Sequence, residues 1–146
     1  MAYNLLKGKK GIIFGALDSE SIAWKVAEQA HEEGAEFILS NAPIAMRMGA
    51  INNLAEKTGS EIIPADATSV EDLEKLVSAA KEKFGGIDFI LHSIGMSPNI
   101  RKKIPYENLN YRFYQQSIDV SALSFHKVMH VAHKLDALND YASILA

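Results

Sequence analysis

Three short stretches carry groups suited to holding an anion or a nucleobase. The first is Gly15-Ala16-Leu17-Asp18-Ser19-Glu20-Ser21-Ile22. Gly15 permits a sharp backbone turn, and the helix start that follows presents amides and a positive dipole end to a phosphate. Ser21 adds a hydroxyl donor. Gly15 is the only glycine there, so the G-x-G-x-x-G spacing is absent, and Asp18, Ser19 and Ser21 suit helix capping equally well. The second stretch, Asp66-Ala67-Thr68-Ser69, offers a carboxylate that can accept from an adenine amino group or shape a loop before a helix. The third runs from His92 to Pro98. There Gly95 lets backbone approach a ligand closely, and Ile94 is placed to pack on a sugar or an aromatic ring. A further set, His126, His130 and His133, falls at i, i+4 and i+7 on one helix face. Two such histidines can bind zinc, but Lys127 stands where a H-E-x-x-H site needs its glutamate. A polar helix face or a subunit contact explains these histidines as well, and no metal is expected. His92 reads as a core histidine within a strand.

The elements that position these stretches follow from hydrophobic period. Gly11 to Gly15 is a continuous apolar run, as in a strand buried on both faces. Ile22, Ala23, Val26, Ala27 and Ala30 form a helical stripe that ends at Gly34. Ala35 to Leu39 reads as a second strand and Ile44 to Lys57 as a second helix, with Met48, Ile51, Leu54 and Ala55 inward. Glu61 to Ala65 is a short third strand whose Pro64 suits an edge. Thr68-Ser69 caps a third helix with Glu71 and Asp72 in its first turn and Gly85-Gly86 at its end. Ile87 to His92 is a fourth strand and Ser93 to Pro105 a loop. Tyr111 to Leu135 is a long helix with Ile118, Ala122, Phe125, Met129 and Ala132 inward. Tyr141 to Ala146 begins a fifth strand.

Strands joined by helices of this length need crossovers, so the sheet is parallel. Right-handed crossovers lead to a Rossmann-type doubly wound α/β sheet of order 3-2-1-4-5, read as one dinucleotide-binding domain over residues 1–146. Ligands in such a sheet sit at the carboxyl ends of the strands, near the switch between strands 1 and 4, where the three stretches meet. The end of strand 2 distinguishes NAD from NADP. Ser40-Asn41-Ala42-Pro43 is neither acidic nor basic there, which favours NADH, while Arg47 one turn later leaves NADPH open. Asn41 can bond a ribose or adenine, or serve only as a turn residue.

Composition sets outer bounds. The chain has 146 residues, 48% hydrophobic and 23% charged, with a net charge of −3 and no cysteine. That is globular usage. It excludes disulfide and thiol chemistry, and the absence of a basic stripe argues against nucleic acid. The N-terminal residues do not follow a secretory pattern and no long uncharged apolar run occurs, so a cytoplasmic protein that does not enter the membrane is expected.

Two motifs together carry a family resemblance. Gly15-Ala16-Leu17-Asp18-Ser19-Glu20-Ser21-Ile22-Ala23-Trp24 resembles the cofactor loop of the enoyl-acyl-carrier-protein reductases, a divergent branch of the short-chain dehydrogenase/reductases. Leu91-His92-Ser93-Ile94-Gly95-Met96-Ser97-Pro98 is similar to their strand-4 signature, and Asp119 to Phe125 to the start of their long interface helix. The resemblance implies that Gly15, Ser21 and Ile22 hold a pyrophosphate and that Asp66 and Ala67 hold the adenine. It places Ala42 on the adenosine side and Ser93, Ile94 and Gly95 at the ribose and nicotinamide. Ser97 would touch the acyl substrate through its backbone.

The implied reaction is hydride transfer from NADH to the β-carbon of a trans-2-enoyl thioester on acyl carrier protein, in a homotetramer. The implied catalytic tyrosine and lysine, with six residues between them, are expected C-terminal to Ala146, so the chain is expected to be a truncated front part that is inactive alone. Tyr3 and Lys10 have that spacing but flank strand 1, away from the expected site. Two other readings stand beside this one: a short-chain reductase acting on a ketone, and a non-catalytic nucleotide-binding module.

Overall fold

The structure, a computed structural model, describes residues 2–146. Five parallel strands form one sheet in the order β3-β2-β1-β4-β5, the arrangement expected from the alternating periods. They are β1 (Lys10–Phe14), β2 (Glu36–Ser40), β3 (Glu61–Ile62), β4 (Ile87–His92) and β5 (Leu138–Leu145). β1 sits at the centre, with Phe14 opposite Ser40 on one side and His92 on the other. Four of the five β1 residues are buried, which is why that segment reads as an unbroken apolar run.

Helices cover both faces. One face packs Ile13, Phe37 and Leu39 against Ala23, Trp24 and Ala27 of α1 (Ile22–Glu32) and Ile51 and Leu54 of α2 (Ile51–Thr58). The other packs Ile12, Ile38 and Ile90 against Leu73, Leu76 and Val77 of α3 (Val70–Phe84) and Val128 and Val131 of α6 (Ser124–Lys134). Each fully buried aliphatic side chain contributes about 1.5–3 kcal/mol, whereas the exposed ion pairs, such as Lys75–Glu71, contribute about 1 kcal/mol at most. The two apolar layers hold the fold together.

Several local expectations shift. Ile22 and Val26 are exposed and Trp24 is buried instead, so α1 meets the sheet on a face turned from the expected stripe. The segment expected to be one helix from Ile44 is a 3-10 turn, Ala45–Met48, then α2, because Gly49 adopts a positive φ of 74° between them. Met48 is consequently exposed. Within the stretch expected as loop, Pro98–Arg101 forms a short helix, α4, capped by the Ser97 hydroxyl accepting from the Ile100 amide.

The long helix is three pieces: α5 (Tyr111–Ile118), a π turn (Asp119–Leu123) and α6. A π turn admits an extra residue and rotates everything after it relative to an ideal 3.6-residue period. The buried set of α6 is therefore Ser124, Val128, Val131 and Ala132, while Ile118 is exposed.

β5 starts earlier than Tyr141 and is irregular. Ile87 pairs with Leu138 but Phe89 with Ser143, so β5 carries extra residues between those points. Asp88 anchors this bulge, accepting from the Lys10 amide at 2.9 Å, from Asn139 Nδ2 at 3.2 Å and from Lys9 Nζ at 3.4 Å. Burial opposes ionisation of its carboxyl, but these donors outweigh it and hold the group below the usual 3.8. At the bulge Tyr141 takes φ 62° with its side chain fully exposed. A non-glycine residue there costs about 1–2 kcal/mol and Tyr141 makes no compensating burial. Tyr141→Gly is accordingly expected to raise unfolding stability by about 0.5–1 kcal/mol in denaturant titration, glycine's extra chain entropy removing part of the gain. A loss of stability would show that the tyrosine ring is held by contacts in solution.

Candidate functional site

The loops after β1, β2 and β4 open onto a cleft at the carboxyl ends of the strands. Its cavity, about 370 Å³, is lined in part by Gly15, Leu17, Ala42, Ser93, Ile94, Gly95 and Arg101. A second cavity of about 350 Å³ lies on the other side of the same stretch, lined by His92, Ser93, Ile94, Gly95, Ser121 and Ala146. Volumes of this size suit a small-molecule ligand, and Ser93-Ile94-Gly95 forms a ridge between the two. A third cleft, about 270 Å³ around His31, Gly34 and Phe84, lies at the opposite ends of the strands, away from this constellation.

Gly15 fixes the centre. Its φ is 93°, and a Cβ built on it would stand 1.9 Å from the Ser93 carbonyl oxygen. Its amide donates to the Ser40 carbonyl at 3.0 Å, while the Ser93 amide donates to the Phe14 carbonyl at 3.3 Å. One position thus joins the ends of β2, β1 and β4. Among the described residues, chain neighbours aside, no atom lies within 4 Å of a Cβ built on Gly95, so the open side of the ridge is there.

The loop between Gly15 and α1 is held by its own side chains. Ser21 Oγ donates to the Asp18 carbonyl at 2.8 Å and accepts from the Leu17 amide at 3.2 Å. Ser21 therefore shapes the loop, and its proton reaches a ligand only if the hydroxyl rotates. Its side chain makes no capping bond to α1. Among the described residues no protein acceptor meets the amides of Ile22 and Ala23, which stay available to an anion. Asn41 donates from Nδ2 to the Ala16 carbonyl at 3.2 Å and accepts from the Ala42 amide at 2.8 Å. Its side chain serves the loop, as a turn residue does.

On the far side, Asp66 Oδ1 accepts from the Thr68 amide at 2.8 Å and hydroxyl at 2.7 Å. Its own amide donates to Asp72 Oδ2 at 3.1 Å. Asp66 is exposed, and its second carboxylate oxygen remains free among these bonds, while Ala67 is buried. Cavity walls gather Gly15, Ala42, Ser93, Ile94 and Gly95; Ser21, Ile22, Asp66, Ala67 and Ser97 stand outside them. Arg47, the residue that left the 2′-phosphate question open, is not in the wall, whereas Arg101 is.

Three positioning side chains escaped sequence reasoning. Ser121, in the π turn, accepts from the Met96 amide at 3.1 Å and donates to the Met96 carbonyl at 3.3 Å, pinning the ridge. Lys127 donates to Asp119 Oδ1 at 2.8 Å and to the Thr68 carbonyl at 3.0 Å, tying the Asp66 loop to α6. Ser124 bonds the buried His92, ring Nε2 to Oγ 2.8 Å. A serine inside a helix at the depth of a buried strand histidine was the available signal for the last pair. His126 and His130 are exposed, with rings stacked 6.3 Å apart. Among the described residues no group of three or more metal-capable side chains gathers. Tyr3 and Lys10 lie at the other end of the sheet, near Glu33 and Asp88.

A parallel sheet of this order, with a glycine turn, unpaired helix amides and an open ridge at the switch between β1 and β4, is a Rossmann-type arrangement, a class in which ligands sit at the carboxyl ends of the strands. A family model described as enoyl-(acyl carrier protein) reductase matches residues 15–146, and the chain belongs to that family. The NADH-type enoyl-acyl-carrier-protein reductase FabI of Rickettsia bellii is 32% identical over 99% of this chain and 55% of its own length. Reductase 1 of the same description from Rhizobium meliloti is 32% identical over 99% of this chain and 52% of its own. The crystal structure of FabI from Alistipes finegoldii matches at 60% identity with a TM-score of 0.94, over 98% of this chain and 55% of that one. A FabI–NADH complex from that organism matches at the same identity and TM-score, over 97% and 50%. The chain spans about half the length of the curated relatives it matches. Among the described residues no helix is long and apolar enough to cross a membrane.

Proposed function

We propose that residues 1–146 form the dinucleotide-binding domain of an NADH-dependent enoyl-acyl-carrier-protein reductase, which acts on a trans-2-enoyl thioester. The observation that carries this reading is the packing of Gly15 against Ser93, which sets a turn with free helix amides beside an open glycine ridge. The amides of Ile22 and Ala23 would hold the pyrophosphate, with Ser21 keeping the loop in shape. Asp66, through its free oxygen, and Ala67 would bound the adenine, and Ala42 the adenosine side. Ser93, Ile94 and Gly95 would carry the ribose and nicotinamide, and the backbone at Ser97 would meet the acyl chain. NADH, when bound, supplies a hydride to the thioester β-carbon. Among the described residues no tyrosine stands in either cavity wall at this end, so the proton-delivering step is assigned to none of them.

Nicotinamide fluorescence tests the cofactor site directly. Saturable NADH binding is expected, with NADPH a weaker competitor because the end of β2 offers no cation in the wall. Failure to bind NADH would overturn the reading. The polypeptide 1–146 by itself is expected to leave a crotonyl thioester unreduced, and measurable turnover would place a proton donor among these residues. Single-turnover comparison of enoyl and ketoacyl thioesters with the full-length protein separates this reading from that of a carbonyl reductase.

A further inference from the structure

One limb beside the cavity differs in charge from the rest of the chain. The segment 98–113 holds four cations, Arg101, Lys102, Lys103 and Arg112, against one carboxylate, Glu107, in a chain whose net charge is −3. All four cations are exposed, and none forms an ion pair among the described residues. Elsewhere the typical surface lysine is matched: Lys57 to Glu28, Lys75 to Glu71, Lys83 to Glu61 and Lys134 to Glu74. Unmatched like charges in one place repel each other and cost stability, so a cluster that persists needs another reason.

The limb is built rather than loose. Asn99 and Asn110 exchange two hydrogen bonds, 3.1 Å from Asn99 Nδ2 to the Asn110 carbonyl and 3.0 Å from the Asn110 amide to Asn99 Oδ1. Asn99 is buried, and the pair locks α4 to the start of α5. Lys102 Nζ lies 4.8 Å over the Phe113 ring, which ties the charge after α4 to α5. Between the cations stand two exposed apolar side chains, Ile100 at 78% and Tyr106 at 90%. Arginine and aromatic anchors mixed with apolar surface mark a docking face more than a solvated one. Arg101 connects this face to the cavity wall.

We infer that the face formed by Ile100, Lys102, Lys103, Tyr106 and Arg112 docks an acidic carrier protein, whose phosphodiester-linked acyl arm enters the cavity past Arg101. The inference rests on the reductase reading, because it takes the thioester to arrive on a carrier. Charge complementarity selects the occupant: an anionic protein surface for the lysines and Arg112, and a phosphate for the guanidinium of Arg101, which can grip it with two parallel bonds.

Fluorescence anisotropy of labelled crotonyl-carrier protein against the full-length protein tests this, with NADH binding measured alongside. The double variant Lys102→Glu, Lys103→Glu is expected to weaken carrier binding roughly tenfold or more and to flatten its salt dependence, leaving NADH affinity unchanged. The neutral pair Lys102→Gln, Lys103→Gln should fall between the variant and the native protein. Equal carrier affinity in native and charge-reversed proteins, with NADH binding intact in both, would overturn the docking face while leaving the reductase reading in place. Loss of NADH binding by the native protein would instead overturn that reading. If the charge-reversed protein loses both ligands, the neutral pair decides: carrier affinity equal to native in it overturns the docking face.

Discussion

Gly15→Ala is expected to destabilise the protein by about 3–5 kcal/mol and to abolish NADH binding. The methyl group would enter 1.9 Å from the Ser93 carbonyl oxygen on a backbone held at φ 93°. Backbone, not a flexible side chain, is what it meets. Relief requires separating β1 from β4, yet the Gly15 amide is committed to Ser40 and the Ser93 amide to Phe14. Strain and collision therefore add. Gly95→Ala is the internal control, because among the described residues nothing beyond its chain neighbours lies within 4 Å of its added carbon. Stability there should move by less than about 1 kcal/mol, while ligand affinity falls because the methyl group points into open space on the ridge. Denaturant unfolding of both variants gives the answer. A cost below about 1 kcal/mol for Gly15→Ala would mean that the turn is not packed as described.

Ser124→Ala should cost about 1–3 kcal/mol, and His92→Ala more, because each leaves a buried polar partner or a void. His92 is 2% exposed, its ring tilted against those of Phe14 and Phe125, and its Nε2 sits 2.8 Å from Ser124 Oγ. Ser124 gives its only proton to the Val120 carbonyl at 2.6 Å. It can then only accept from the histidine, which makes neutral His92 the Nε2–H tautomer. Once Ser124 is gone the ring N–H has no acceptor, whereas Ser124 in His92→Phe keeps Val120. The double variant His92→Phe, Ser124→Ala should therefore cost less than the two single changes added together. Strict additivity would refute the bond.

Burial also sets the pH response of this pair. It pushes the His92 imidazolium below its ordinary 6.5, with a backbone hydrogen bond opposing only in part. Below 6.5 the unfolded chain takes up a proton that the folded ring resists, so stability falls as pH drops from 6.5 toward the lowered folded value. Above 6.5 the contribution is fully present. His92→Phe should remove that slope, and an unchanged slope would assign it elsewhere.

The fold class was legible from the chain because period reports burial directly. A strand covered on both faces, like Ile12-Ile13-Phe14, has no polar position to interrupt it, and a helix on a sheet needs one apolar stripe. Gly34, Gly59 and Gly85, each left-handed after a helix, punctuated the elements as glycine does at a C-terminus. The Gly15 turn, the Ser69 cap and the edge position of β3 follow from the same local rules, since each depends on backbone groups within a few residues. What only the tertiary structure decided is where neighbours from distant parts of the sequence overrule the local period. The π turn at Asp119–Leu123 rotates α6 because Ser121 is tied to Met96 and Ser124 to His92, bonds invisible in any helical pattern. Asn41 and Ser21 had several possible partners in the sequence; packing assigned both to the loop that follows β1. Lys127, which in sequence only broke a metal motif, became the tie between α6 and the Asp66 loop. Periodicity is a property of one segment against a uniform interior, while these hydrogen bonds require two segments brought to within about 3 Å, a distance the folded sheet alone sets.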